Sequence, residues 1–137
     1  LLIYKEICNQ LEIKKNKKGF SMKIEFHHIG LITTEKKEEE NFVEATKVWV
    51  TNPKNNIFNI EWLRYENDSP VKGPVREKNH IAYRVDNLEE ASKGLKVLIE
   101  PFDVGGFMRV GFFEYENGTV FEFMQYLSDK DKWFNEK

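Results

Sequence analysis

Two histidines and two glutamates stand in a duplicated frame. His28 opens His28-Ile29-Gly30-Leu31, and His80 opens His80-Ile81-Ala82-Tyr83. Each is followed by a glutamate set in an apolar strand: Glu61 in Asn59-Ile60-Glu61-Trp62-Leu63 and Glu122 in Val120-Phe121-Glu122-Phe123-Met124. The histidines are 52 residues apart and the glutamates 61, a nine-residue difference that is ordinary for diverged copies of one unit. A carboxylate in mid-strand is costly to bury without a partner. With two imidazoles nearby, a divalent ion is the most economical partner, which makes His28, Glu61, His80 and Glu122 candidate metal ligands. Two imidazoles and two carboxylates suit Zn, Ni, Co, Mn or Fe, and affinity order alone does not choose among them. An ion open to two oxygens of a substrate acts as a Lewis acid. It stabilises the enolate left when a neighbouring carbon loses its proton. No Ser, Cys or His arrangement for nucleophilic catalysis and no phosphate-binding glycine loop is present; Gly105-Gly106 reads as a flexible turn.

These residues need strands to hold them. Lys23 to Thr33 alternates apolar and polar residues around the histidine pair, as a half-buried strand does. On that alternation His27 faces away from His28 and is a packing residue. Thr34 offers an N-cap to a short solvated helix over Glu35 to Glu40. Lys47 to Thr51 reads as a short strand, and Ile57 to Tyr65 as a longer one carrying Glu61. After the polar connector from Asp68 to Pro74, Asn79 to Val85 is a strand, and Asp86 with Glu89 forms a capping-box-like start to a helix ending near Gly94. Val97 to Glu100 is a strand. Met108 to Tyr115 then pairs with Thr119 to Tyr126 through Asn117-Gly118, the strongest hairpin signal in the chain. A two-residue loop sets Phe113 opposite Glu122, and Arg109, Gly111, Phe113 and Tyr115 on the face of Val120, Glu122 and Met124. Arg84 shares the face of His80. Arg84, Arg109 and Phe113 are therefore candidate substrate-binding residues, and the two arginines favour an anionic substrate.

The chain of 137 residues suits one domain with a real core. Its net charge of -2 argues against a general nucleic-acid binder. No run approaches the ~20 apolar residues of a membrane span, and the N-terminus shows no signal-peptide core. With the single Cys8 unable to form an internal disulfide, a cytoplasmic protein is expected. The domain runs over 22–126, as modules 22–70 and 78–126, between an extension at 1–21 and a tail at 127–137. For the extension two readings stand: Met22 as the natural start, with Lys18-Gly19 encoded by a purine-rich ribosome-binding site, or a frayed helix with Ile3, Tyr4, Ile7 and Leu11 at helical spacing.

The order βαβββ twice, with His-Ile-Gly-Leu, Ile-Glu-Trp-Leu, His-Ile-Ala-Tyr-Arg-Val-Asp and Val-Phe-Glu-Phe, resembles the vicinal oxygen chelate superfamily, which includes glyoxalase I, methylmalonyl-CoA epimerase, extradiol dioxygenases and the fosfomycin and bleomycin resistance proteins. The resemblance covers residues 23 to 126. It implies an α+β fold in which paired βαβββ modules form a curled, mostly antiparallel sheet. It also implies a metal held by His28, Glu61, His80 and Glu122, and Glu122 or Glu61 as catalytic base in a lyase, isomerase or epimerase acting on a small oxygen-rich substrate. The alternatives it leaves are a non-catalytic small-molecule-binding protein and an iron dioxygenase without Glu61 on the metal. A homodimer is expected by the same analogy. The charged segment after the first strand replaces the helix often found there in glutathione-using relatives, which argues against glutathione recognition.

Overall fold

The computed structural model describes residues 13–15, 21–128, 132–134 and 136. Its strands are β1 (Ile13–Lys15), β2 (Ser21–Ile32), β3 (Asn41–Val43), β4 (Val48–Val50), β5 (Ile60–Tyr65), β6 (His80–Val85), β7 (Lys96–Val104), β8 (Met108–Tyr115) and β9 (Thr119–Tyr126). Two one-turn helices, α1 (Pro74–Glu77) and α2 (Leu88–Ala91), complete the described elements apart from 3-10 turns. The helix considered for the extension lies outside the described residues. Among the described residues no helix is long and apolar enough to cross a membrane.

The sheet is mixed and curls into a half-barrel, with strand order β3-β4-β5-β2-β6-β9-β8-β7 and β1 paired to the start of β2. That order is its own mirror image once the halves are aligned. In each, the first strand lies at the centre, the last lies beside it, and the second lies at the edge. The two first strands, β2 and β6, run antiparallel with His28 opposite Ala82, Ile29 opposite Ile81 and Gly30 opposite His80. The pseudo-twofold axis therefore passes between Ile29 and Ile81, the equivalent residues of the two repeated motifs. On either side the parallel pairs β2/β5 and β6/β9 match Gly30 with Glu61 and Ala82 with Glu122, so the duplication is preserved residue by residue.

The halves differ where helices were expected. Residues 35–40 form bends and a turn, because the segment has no apolar stripe to bury and its charges are claimed by the neighbouring strands. Arg64 holds Glu40 with two hydrogen bonds of 2.9 and 2.8 Å, and the Lys37 ammonium lies 4.5 Å from the centre of the Trp62 ring. Thr33, one residue earlier than the expected cap, accepts a hydrogen bond from the backbone N–H of Glu35. In the second half α2 is shorter than expected and is capped by Asn87, whose side chain accepts from Glu90 N; Asp86 instead accepts from Lys23 N. Pro74 opens the unexpected α1 at the position where a missing N–H costs nothing.

The β8–β9 hairpin corrects the expected register. Its loop is a three-residue 3-10 turn, Glu116–Gly118, with Asn117 at φ 61° and Gly118 at φ 75°. Tyr115 pairs with Thr119, so Phe112, and not Phe113, sits opposite Glu122. One added loop residue moves the other strand by one position and turns every β8 side chain to the opposite face. Phe113 packs in the outer core with Met22, Val85, Leu88, Ala91 and Phe123. Val110, Phe112, Met108 and Val104 join Val48, Val50 and Leu63 in the larger inner core.

Candidate metal centre

Each of the four strands at the middle of the sheet delivers one side chain to a single point. Local devices fix where those strands begin. The Asn56 side chain accepts from Phe58 N and Ile60 N and donates to Ile60 O, and the N–H of Ile29 bonds to Asn59 O, so β5 enters with Glu61 level with Gly30. Asn79 accepts from Ile32 N at 3.0 Å, which ties the entry of β6, and hence His80, to the end of β2.

His28, Glu61, His80 and Glu122 each offer one ligand atom, and these atoms all lie within 4.8 Å of one another. His28 Nε2 is 3.5 Å from Glu61 Oε1 and 3.6 Å from Glu122 Oε1, and His80 Nε2 is 3.8 Å from Glu122 Oε1. Four ligands at the ~2.05 Å bonds of a tetrahedral zinc site would stand roughly 3.4 Å apart. These three spacings need only a small contraction to reach that. All four residues are buried, at 0%, 4%, 2% and 6% exposure.

Burial sets the electrostatics. It pushes the Glu61 carboxyl up to about 8 and does the same to Glu122, whose rise His28 opposes and Glu61 reinforces. Burial takes His80 down to about 3, with His28 adding to the fall, and it lowers His28 against the pull of Glu122. Among the described residues His28 Nε2 and both ring nitrogens of His80 have no hydrogen-bond partner. Lone pairs without donors beside buried carboxyls are the arrangement a cation satisfies. The group could hold a metal ion.

His27 departs from the expected alternation. The β2/β6 register slips between Phe26 and His28, and the extra residue at this bulge is His27. Its ring turns toward the inner core, stacking on Trp133 at 6.3 Å and lying 6.4 Å from the Tyr126 ring. His27 Nδ1 is 2.8 Å from His28 Nδ1, and His27 Nε2 is 3.3 Å from the Tyr126 hydroxyl. With a metal on His28 Nε2, His28 Nδ1–H would donate to His27 Nδ1 and His27 Nε2–H to Tyr126. That would fix the tautomer and ring orientation of His28.

A narrow cavity of about 40 Å³ touches Glu61 and Glu122. Val43 from one edge of the sheet and Phe102 and Val104 from the other reach it, as the curl of the half-barrel requires. Of the residues expected to bind substrate, none lines it. Arg109 follows the corrected register out of the inner face and pairs with Glu89 at 3.0 Å. Phe113 lies in the outer core. Arg84 keeps the parity of His80 but sits further along β6, its guanidinium 4.4 Å from the Tyr126 ring centre and bordering a surface groove with Lys23, Glu25 and Asp86. Trp133 and Phe134, which do line the cavity, were not singled out from the sequence. Their signal was an aromatic pair in an otherwise charged tail. Comparison with known proteins finds no matching family model and no matching curated protein.

Proposed function

We propose that this chain is a divalent-metal-dependent lyase, isomerase or epimerase of the vicinal oxygen chelate type, removing a proton from a small molecule that chelates the metal through two oxygens. The observation that carries the reading is the buried convergence of His28, Glu61, His80 and Glu122, with three imidazole nitrogens lacking partners among the described residues. The mirrored strand order about Ile29 and Ile81 supports the superfamily assignment.

His28 and His80 would bind through Nε2, and each glutamate through one oxygen. When bound, the ion would supply positive charge against the oxyanion that forms as the substrate carbon loses its proton. The chain's own residues do the rest. Glu122 lies within 4 Å of both imidazoles and is the anchor, whereas Glu61 is that close to His28 alone. Glu61 is therefore the carboxylate with freedom to turn into the cavity it lines and accept the proton. The apolar walls exclude water that would compete for it. His27 holds His28 in the metal-binding tautomer.

Metal content tests the reading: about one ion per chain in the wild type, lost in His28→Ala, His80→Ala and Glu122→Ala, with Glu61→Gln retaining metal and losing turnover on 2-oxoaldehyde adducts or 2-substituted acyl thioesters. No uptake of zinc, nickel, cobalt, manganese or iron would reject it. The second reading, small-molecule binding without turnover, rests on the mostly apolar lining of the cavity. It is distinguished by stoichiometric ligand binding with no exchange of substrate protons for deuterium.

A further inference from the structure

The half-barrel is open on one side, and what fills the opening is not part of the sheet. Trp133 and Phe134 line the cavity beside Glu61 and Glu122. Trp133 is 2% exposed, stacks on His27 and meets the His28 ring edge-on at 6.4 Å; Phe134 meets Phe107 at 5.3 Å. The segment is held at Glu136, which accepts from Asn52 Nδ2 at 3.0 Å, Lys54 Nζ at 2.8 Å and the backbone N–H of Trp133 at 3.0 Å.

Two features mark this pair as a removable wall. The Trp133 indole nitrogen is buried without a hydrogen-bond partner among the described residues, although buried indole N–H groups usually find one. Docking therefore gives this N–H no acceptor among the described residues to hold the ring in place. And with the pair in place the cavity is only about 40 Å³, room for roughly three waters at the ~10–15 Å³ each needs on the same measure. A chelator carrying a ring-sized body does not fit in that space. With the aromatic pair, Val48, Val50, Leu63, Val104, Val110 and Phe112 line the cavity, and no Lys or Arg lines it among the described residues.

We propose that the Trp133–Phe134 pair is a plug that ligand displaces: an oxygen chelator with an uncharged, ring-sized apolar body enters by taking the place of these two side chains. This rests on the metal reading above. The chelating end would meet the ion, and the body would cover the apolar wall that the aromatic pair now covers. A phosphorylated or otherwise charged body would find no counter-charge on that wall.

The test uses the full chain loaded with zinc, zinc per chain being measured for each variant, and two hydroxamates that chelate alike but differ in body. Benzohydroxamate should bind at least ~10-fold more tightly than acetohydroxamate, as burial of a ring predicts. Glu136→Ala, which removes the latch at a partly exposed residue, should tighten benzohydroxamate a further ~3- to 10-fold, within the range of a few lost hydrogen bonds. Trp133 emission, taken as the difference between wild type and Trp133→Leu, should shift to the red as benzohydroxamate is added. Should Trp133→Leu fail to fold, the Glu136→Ala comparison still decides. Equal affinities for the two hydroxamates, or unchanged or weaker benzohydroxamate binding in Glu136→Ala, would overturn the plug while leaving the metal reading standing. A wild type that takes up no zinc would overturn both.

Discussion

Replacing Gly30 by alanine should abolish metal binding without replacing any of the four candidate ligands. A Cβ on Gly30 would stand 2.1 Å from His80 Cε1, 2.4 Å from Nε2 and 2.5 Å from Nδ1. Carbon and ring atoms in contact need roughly 3.5 to 4 Å, so the imidazole must retreat by well over ~1 Å. It has nowhere to go at low cost, because His80 is 2% exposed and Phe112 packs edge-on against it at 5.3 Å. Overpacking of this kind costs about 1–3 kcal/mol of stability. The effect on metal is larger than that figure suggests, since ligand distances tolerate only about ±0.2 Å and His80 would be lost as a ligand. Loss of a supporting hydrogen bond alone typically costs up to ~10²-fold in metal affinity, so losing the ligand should cost at least that. Competition with a chromophoric chelator gives the dissociation constant, and thermal unfolding of the apo chain gives the stability term. The pseudo-symmetric control is Ala82→Gly, which removes the Cβ opposite His28 and should leave affinity within a few-fold. A Gly30→Ala protein that binds metal as tightly as the wild type would refute both the packing and the assignment of His80.

Metal uptake should displace up to two protons per ion at neutral pH, because both carboxyls sit near 8 and must ionise; calorimetry in buffers of different ionisation enthalpy reads this, and release near zero would contradict it. In the apo chain the same raised carboxyls hold protons that the unfolded chain releases above about 4.5, so stability should fall as pH rises from there to about 8. Glu122→Gln should therefore be more stable than wild type at pH 8.5 while losing metal, as denaturant melts would show. The opposite sign applies to His80, whose lowered value makes its contribution complete above about 6.5 and progressively lost as pH falls toward 3. His27→Ala should weaken metal binding by roughly 10- to 100-fold through a misoriented His28, with Kd by chelator competition as the check. Arg109→Ala should change neither metal nor hydroxamate binding and should cost no more than about 1 kcal/mol, since its partner Glu89 lies on an exposed surface.

The four clustered side chains were legible because period-2 patterning survives in a strand buried on one face, and because a motif that occurs twice constrains its own register. His28 and His80 precede the same Ile, and Glu61 and Glu122 sit in the same apolar setting. What failed were single-residue insertions. Asn117-Gly118 announced a turn but not its third residue, and that residue alone moved Arg109 and Phe113 off the inner face. The bulge at His27 leaves no mark in an alternation that already reads His-His. The helix expected over Glu35 to Glu40 lost to contacts made with Trp62 and Arg64, far along the chain, which no local window contains. The tail was invisible for the same reason: Trp133 matters through its contact with His28, more than a hundred positions away.

The strands that carry the four side chains, β5, β2, β6 and β9, are consecutive neighbours in the sheet. An ion at their meeting point would act as a register lock. A slip of any one strand by a single residue turns its ligand to the far face, so every misaligned pairing forfeits binding energy that only the native alignment collects. The pairing of β2 with β6 is also the seam that joins the two halves. Metal bound there should raise hydrogen-exchange protection in both halves together, tying their opening to a single event.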